Sequence, residues 1–139
     1  MALSQIGAFL LLFTCSLVFL EVSACAGCVQ LTEYTFDKVI SKFDATLVKF
    51  DVAFPYGEKH EAYAELAKDA KSIDELLIAE VGIKDYGERD NEEIAKRFGI
   101  KKDDYPVVKL FIKGNKEPLT YPEKKEFTTD NLRHFVKEK

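Results

Sequence analysis

Residues 47–63, LVKFDVAFPYGEKHEAY, constrain this chain more than any other stretch. Apolar residues alternate at Val48, Phe50, Val52 and Phe54, which is the period of a strand. After Pro55-Tyr56-Gly57 the period changes, and Tyr63, Leu66, Ala67 and Ala70 share one face of a helix. A strand feeding a helix through a short Pro/Gly turn predicts an α/β protein, and such junctions are where these proteins bind or react. What the junction carries should therefore decide the function.

The flanking sequence extends the same alternation. Residues 28–31 predict a short strand. Thr35 is the expected N-cap of a first helix, with Phe36, Val39, Ile40 and Phe43 facing inward. Residues 47–54 predict the next strand, and residues 58–71 the helix after it. Residues 76–83, LLIAEVGI, form a nearly continuous apolar run, as a strand covered on both faces would. A polar loop with Asp85-Tyr86-Gly87 follows. Asp90 and Glu93 have capping-box spacing and open a short helix through Ile94, Ala95 and Phe98, closed by Gly99. Residues 107–112 are a strand, Gly114-Asn115 a turn, and residues 119–121 a second hairpin strand. Thr128 or Thr129 should cap a last helix with Leu132, Phe135 and Val136 inward. The order β-α-β-α-β-α-β-β-α is that of a thioredoxin-like fold, a mixed sheet flanked by helices. That fold implies a cis bond at Tyr105-Pro106, before the fourth strand; cis X-Pro costs only about 0.5–1 kcal/mol.

Of the 139 residues, 47% are hydrophobic and 32% charged, which fits one globular domain with a modest core. The formal net charge is −4 with signs mixed along the chain, so nothing favours nucleic acid or an anionic membrane surface. Residues 6–20 hold no charge and are rich in Leu and Phe, yet are short of the roughly 20 residues a bilayer span takes. Ser23, Ala24 and Ala26 follow. The expectation is a signal peptide over residues 1–24, a domain over 25–139, and a compartment that permits disulfides, with no membrane in the mature form. A cut before Cys25 keeps both cysteines of Cys25-Ala26-Gly27-Cys28, and a cut before Gly27 discards the first. Val22-Ser23-Ala24-Cys25 also loosely resembles a lipoprotein box. Cys15 would leave with the signal.

At the strand-to-helix junction, redox members of this fold carry a CxxC whose first thiol the helix N-terminus activates, with a buried acid in the preceding strand. Here Phe54-Pro55-Tyr56-Gly57-Glu58 holds no cysteine, and Lys49 takes the acid's place. No catalytic residue is expected at the junction. Instead Asp51, Phe54, Tyr56 and Glu58, joined by Asp85, Tyr86 and Glu88 from the later loop, form an aromatic and acidic group suited to peptide binding. The CxxC at Cys25 and Cys28 precedes the first strand, and it reads as a local or intermolecular disulfide, a weak redox dithiol, or an inert pair. With no helix dipole or fixed cation in a flexible N-terminus, redox use of Cys25 and Cys28 is the alternative reading. An interaction domain with its partner site elsewhere is a third. One CxxC supplies two ligands and neither His60 nor His134 has ligand spacing, so no metal and no cofactor is expected. His60 reads as a surface residue without a nucleophile or acid beside it.

The motifs KFDVAFPYGEKHE, IKDYGE and DDYPVVKLF resemble the N-terminal domain of the ERp29/Windbeutel family, over about residues 28–137. The resemblance implies a redox-inactive, protein disulfide isomerase-related chaperone or escort in the lumen of the endoplasmic reticulum. It implies secretory client proteins as partners, a Golgi sulfotransferase among them. Asp51, Phe54, Tyr56 and Glu88 fall in the family's peptide-binding patch, and a homodimer through the first strand is implied. Three departures stand out. The family's helical C-terminal domain and its retention signal are absent from these 139 residues, which leaves secretion open. Thr32 occupies the position where the dimer normally has an Asp.

Overall fold

The structure is a computed structural model that describes residues 25–70, 73 and 75–139. The expected signal peptide, and the end of the second helix at residue 71, lie outside the described residues. The elements are β1 (Val29–Gln30), α1 (Phe36–Ile40), β2 (Ala45–Val52), α2 (Glu58–Asp69), β3 (Leu76–Ile83), α3 (Glu92–Arg97), a 3₁₀ turn (Lys102–Asp104), β4 (Val107–Ile112), β5 (Leu119–Thr120) and α4 (Thr129–Lys137). The sheet runs β1-β3-β2-β4-β5. β1 and β2 flank β3 in parallel, whereas β4 is antiparallel to both β2 and β5. This is the thioredoxin-like arrangement that the element order predicts.

Alternation along β2 sends its side chains into two cores. Leu47 packs with Ile78, Leu110, Tyr63, Leu66, Leu132 and Phe135 under α2 and α4. Val48 and Phe50 pack with Phe36, Val81, Ile83, Ile94 and Ile100 under α1 and α3. Each fully buried side chain of this size contributes roughly 1.5–3 kcal/mol. Phe36 stands edge-on to Phe111 at 5.4 Å, and the Arg97 guanidinium lies 5.2 Å from the Phe98 ring centroid.

Four local expectations need correction. β2 ends at Val52, where the Asp51 carboxylate accepts the Val52 N–H at 2.8 Å, so Phe54 leaves the alternation and is exposed. Phe43 is exposed too, because α1 stops at Ile40 before the next turn could bury it. The capping box at Asp90 and Glu93 does not form. α3 begins at Glu92 after Asn91 at φ 65°, Asp90 pairs with Lys84 at 3.0 Å, and Glu93 with Lys96 at 3.2 Å. Asn91 is used otherwise: its amide donates to Gly82 O at 2.7 Å and accepts from Glu33 N at 3.0 Å, tying the β1–α1 loop to β3. Thr35 occupies the N-cap position of α1, but its hydroxyl accepts from Thr32 N rather than from the helix. Thr128 is the cap of α4, accepting from Asn131 N at 3.2 Å.

Gly82 sits near the carboxyl end of β3, opposite Asp51 and close to Ala53, the first residue after β2. A Cβ there would lie 3.1 Å from Ala53 Cα, so any larger residue would press the chain after β2 outward by a few tenths of an ångström. The Tyr105–Pro106 bond is cis, as the fold implies.

Candidate functional site

The carboxyl end of β2 and the first turn of α2 meet across the Pro55-Tyr56-Gly57 turn. Gly57 precedes α2 with φ 97° and ψ −176°, a conformation that only glycine adopts readily, and no side chain caps the helix. This geometry leaves Tyr56 89% exposed. Opposite the turn lies Tyr105-Pro106, and between them runs an open groove of about 520 Å³. Asp51, Tyr56 and Glu58 line it, as the sequence suggests, and Lys59, His60, Lys102, Tyr105 and Pro106 complete it. Past Lys59, Tyr105 and Pro106 a second groove continues along Val107, Thr120, Tyr121 and Pro122.

The other expected residues are distributed around this groove rather than within it. Phe54 and Tyr86, in the loops that follow β2 and β3, are 62% and 57% exposed. Asp85 reaches the groove through its ion pair with Lys102, which holds the Asp85 carboxyl below the usual carboxylate range and raises Lys102 in turn. Partial burial, then the charges of Asp85 and Asp51, push the Tyr105 phenol upward, so it stays a neutral donor. Glu88 lies elsewhere, in a separate recess with Thr32, Glu33, Tyr34, Asp90 and Asn91. The sequence reading missed Lys59, Lys102 and Tyr105. Lys102 and Tyr105 lie about fifty residues from the junction and carry no local signal beyond the proline that follows Tyr105.

His60 is the largest correction. It is 3% exposed, and its Nδ1 accepts from the Lys49 ammonium at 2.9 Å. Lys49 is wholly buried and also lies 3.5 Å from Asp51 Oδ2, 3.6 Å from Glu80 Oε2, and 5.3 Å from the Tyr63 ring centroid. Helical spacing from His60 to Tyr63 turns both side chains toward β2, which is why a histidine three residues from a core tyrosine is buried. The groove lining therefore holds a histidine already engaged by a lysine, and no cysteine or serine.

Cys25 and Cys28 form a disulfide before β1. The sequence reading places this pair in a flexible segment; instead Cys25 belongs to the core under α2 and is 4% exposed. Both sulfurs and a carboxylate oxygen of Glu80 lie within 4.8 Å of one another. That trio has metal-ligand chemistry, but the disulfide occupies both sulfurs. Among the described residues no helix is long and apolar enough to cross a membrane.

Comparison with known proteins agrees with this architecture. The family model for the ERp29 N-terminal domain matches residues 23–139. Protein windbeutel of Drosophila melanogaster is 46% identical over 114 residues, covering 81% of this chain and 44% of that protein. The chain thus spans less than half the length of that relative. Among solved structures, the J-Trx1 fragment of ERdj5 superposes with TM-score 0.65 at 18% identity, over 81% of this chain and 51% of that one. The zinc-bound form of human ERp44 gives 0.62 at 20% identity, over 80% and 30%. Thioredoxin f2 of Chlamydomonas reinhardtii gives 0.59 at 18% identity, over 81% and 97%. At these identities the structural likeness speaks for the fold alone.

Proposed function

The chain belongs to the ERp29/Windbeutel family, thioredoxin-like and related to the protein disulfide isomerases, and from that premise we propose that it is a chaperone or escort that binds secretory cargo peptides in the endoplasmic reticulum. The observation that carries this reading is the junction itself. Where redox relatives of this fold place a thiol, this chain places Tyr56, exposed at the rim of a groove with no thiol in its lining. Exposed aromatic rings offer large contact area at low entropic cost. Lys59, Lys102, Asp51 and Glu58 supply polar contacts of both signs for the backbone and flanks of a bound segment. Phe54 and Tyr86 widen the apolar surface, and Glu88 belongs to the periphery. Client proteins of the secretory pathway, including the Golgi sulfotransferase that the family implies, are the partners in this reading.

Fluorescence anisotropy with Tyr/Phe-rich peptides tests it. Truncating a rigid aromatic anchor costs about 1–2 kcal/mol or more, so Tyr56→Ala should weaken binding about tenfold, and a Ser-substituted peptide should bind less well than its Tyr/Phe parent. Equal affinity of Tyr56→Ala and the parent protein would remove the groove as the binding site.

A further inference from the structure

We propose that a bound segment does not end at the β2–α2 junction: its main chain continues into the second groove, along the start of β4, where it is held through its backbone rather than its side chains. This rests on peptide binding at Tyr56 and adds the form of the ligand, an extended stretch with one aromatic end and one end whose side chains are not read. The two grooves are continuous, since Lys59, Tyr105 and Pro106 line both. The second holds about 600 Å³. Its floor is the chain from Tyr105 to Val108, about 13 Å of extended backbone at about 3.3 Å per residue, which is room for about four residues of a ligand.

The sheet leaves this floor without a neighbour. β5 pairs with β4 at Lys109 and Leu110, and Tyr121 N–H donates to Val108 O at 2.9 Å. Pro122 has no N–H to continue the ladder, and the chain turns away toward α4. β4 begins earlier, at Val107, and β2 pairs along its other side. Among the described residues, no strand stands beside Tyr105, Pro106 and Val107 on the β5 side. A peptide strand laid end to end with β5 fills that place, and its main chain makes the hydrogen bonds.

Both walls are braced without using their outward charges. On one side the loop after Tyr121 is fixed at Glu126 O, which accepts from the Tyr121 hydroxyl at 2.6 Å and from the Asn131 amide at 3.0 Å. On the other, the Asp104 carboxylate accepts Lys101 N–H at 3.1 Å and so closes the 3₁₀ turn. The side chains of Asp103, Lys124 and Lys125 also line the groove, and among the described residues they make no hydrogen bond or ion pair. Ammonium groups donate to peptide carbonyls, and a carboxylate accepts from peptide N–H. Charges of both signs on facing walls therefore suit an amide backbone and favour no single side-chain charge.

Fluorescence anisotropy on the purified protein, with three kinds of labelled peptide, tests this. The first is a capped core of about six residues around one Tyr-Phe pair. The second adds about four Ser and Ala residues to the core, at its amino end in one peptide and its carboxyl end in another. The third is the extended peptide with the added amides N-methylated. Extension at one end should tighten binding at least about tenfold, as a few hydrogen bonds worth about two- to tenfold each would. N-methylation should remove the gain. The variant Asp103→Ala/Lys124→Ala/Lys125→Ala should lose at least about threefold of it and bind the core as the parent does, whereas Tyr56→Ala should weaken core and extended peptides alike. Equal affinity for core and both extended peptides, a gain that survives N-methylation, or a gain that the triple variant keeps in full would overturn the proposal while peptide binding at Tyr56 stands. A core peptide whose affinity does not depend on Tyr56 would overturn both.

Discussion

Lys49 shows how much one residue can hold in this protein. Its ammonium is buried between Asp51 and Glu80, with His60 as its hydrogen-bond acceptor, so its positive charge is what makes two carboxylates tolerable inside the sheet. Lys49→Met keeps the stem and deletes the charge. Removing one partner from a buried ionic group typically costs about 3–5 kcal/mol, and urea unfolding should show a loss of that size. The double variant Lys49→Met/Glu80→Gln should recover part of it, because the buried anion goes with the cation. Tyr63 is a second such residue. Its hydroxyl donates to Ala79 O at 2.6 Å and is 3.0 Å from Leu47 O, and burial, followed by the nearby Glu80 charge, raises the phenol well above its ordinary value of 10.0. Tyr63→Phe should cost about 1–2 kcal/mol at neutral pH. Above about pH 10 the unfolded chain loses the phenolic proton while the folded chain keeps it, so stability falls as pH rises through that window. Denaturation midpoints at pH 8 and pH 10.5 should differ more in the parent protein than in Tyr63→Phe.

At the scale of elements, the ends decide more than the middles. α2 starts without a side-chain cap, from a glycine at φ 97°, and a Cβ added there would meet nothing within 4 Å. Gly57→Ala therefore acts through backbone strain alone and should destabilise by about 1–3 kcal/mol, read from thermal unfolding. Since the same turn presents Tyr56, peptide binding should weaken alongside. α4 starts differently, on the Thr128 hydroxyl, and Thr128→Ala should cost about 1 kcal/mol and leave the groove untouched. Both helix starts were legible in the sequence, as was the apolar β3, because periodicity and cap chemistry are local signals. The start of α3 was not. Asp90 and Glu93 have capping spacing, yet Asn91 takes the cap position because its amide bridges Gly82 and Glu33, a contact spanning 58 residues. Local propensity gave way there to a tertiary contact that sequence spacing does not encode.

The whole molecule is built on a sheet whose two edge strands are β1 and β5. β1 is only two residues long, pairs with β3 alone in the sheet order, contains exposed Val29 and is followed by exposed Tyr34. We propose that a second copy docks there, as the family's dimer through the first strand suggests, with Thr32 standing where that dimer normally has an Asp. A charged residue on an edge strand opposes pairing, so sedimentation equilibrium should give a dimer for the parent protein and a monomer for Val29→Lys. A monomer in both would discard this surface. The two cores on either face are separate enough that Val29→Lys should leave the groove's peptide affinity unchanged.

By itself the sequence determined the fold, the order of its elements, and the lack of a thiol at the β2–α2 junction, since each is written in periods of two and 3.6 and in residue identity at one place. The tertiary structure alone decided what surrounds that junction. Burial of His60 against Lys49, the arrival of Lys102 and Tyr105 from the far side of the chain, and the setting of Cys25 beside Glu80 all depend on strand register and helix packing. These bring together residues separated by up to fifty-five positions, and no local pattern distinguishes a buried histidine or carboxylate from an exposed one. The junction could be seen in the letters; the buried charges beside it appear only when the sheet is assembled.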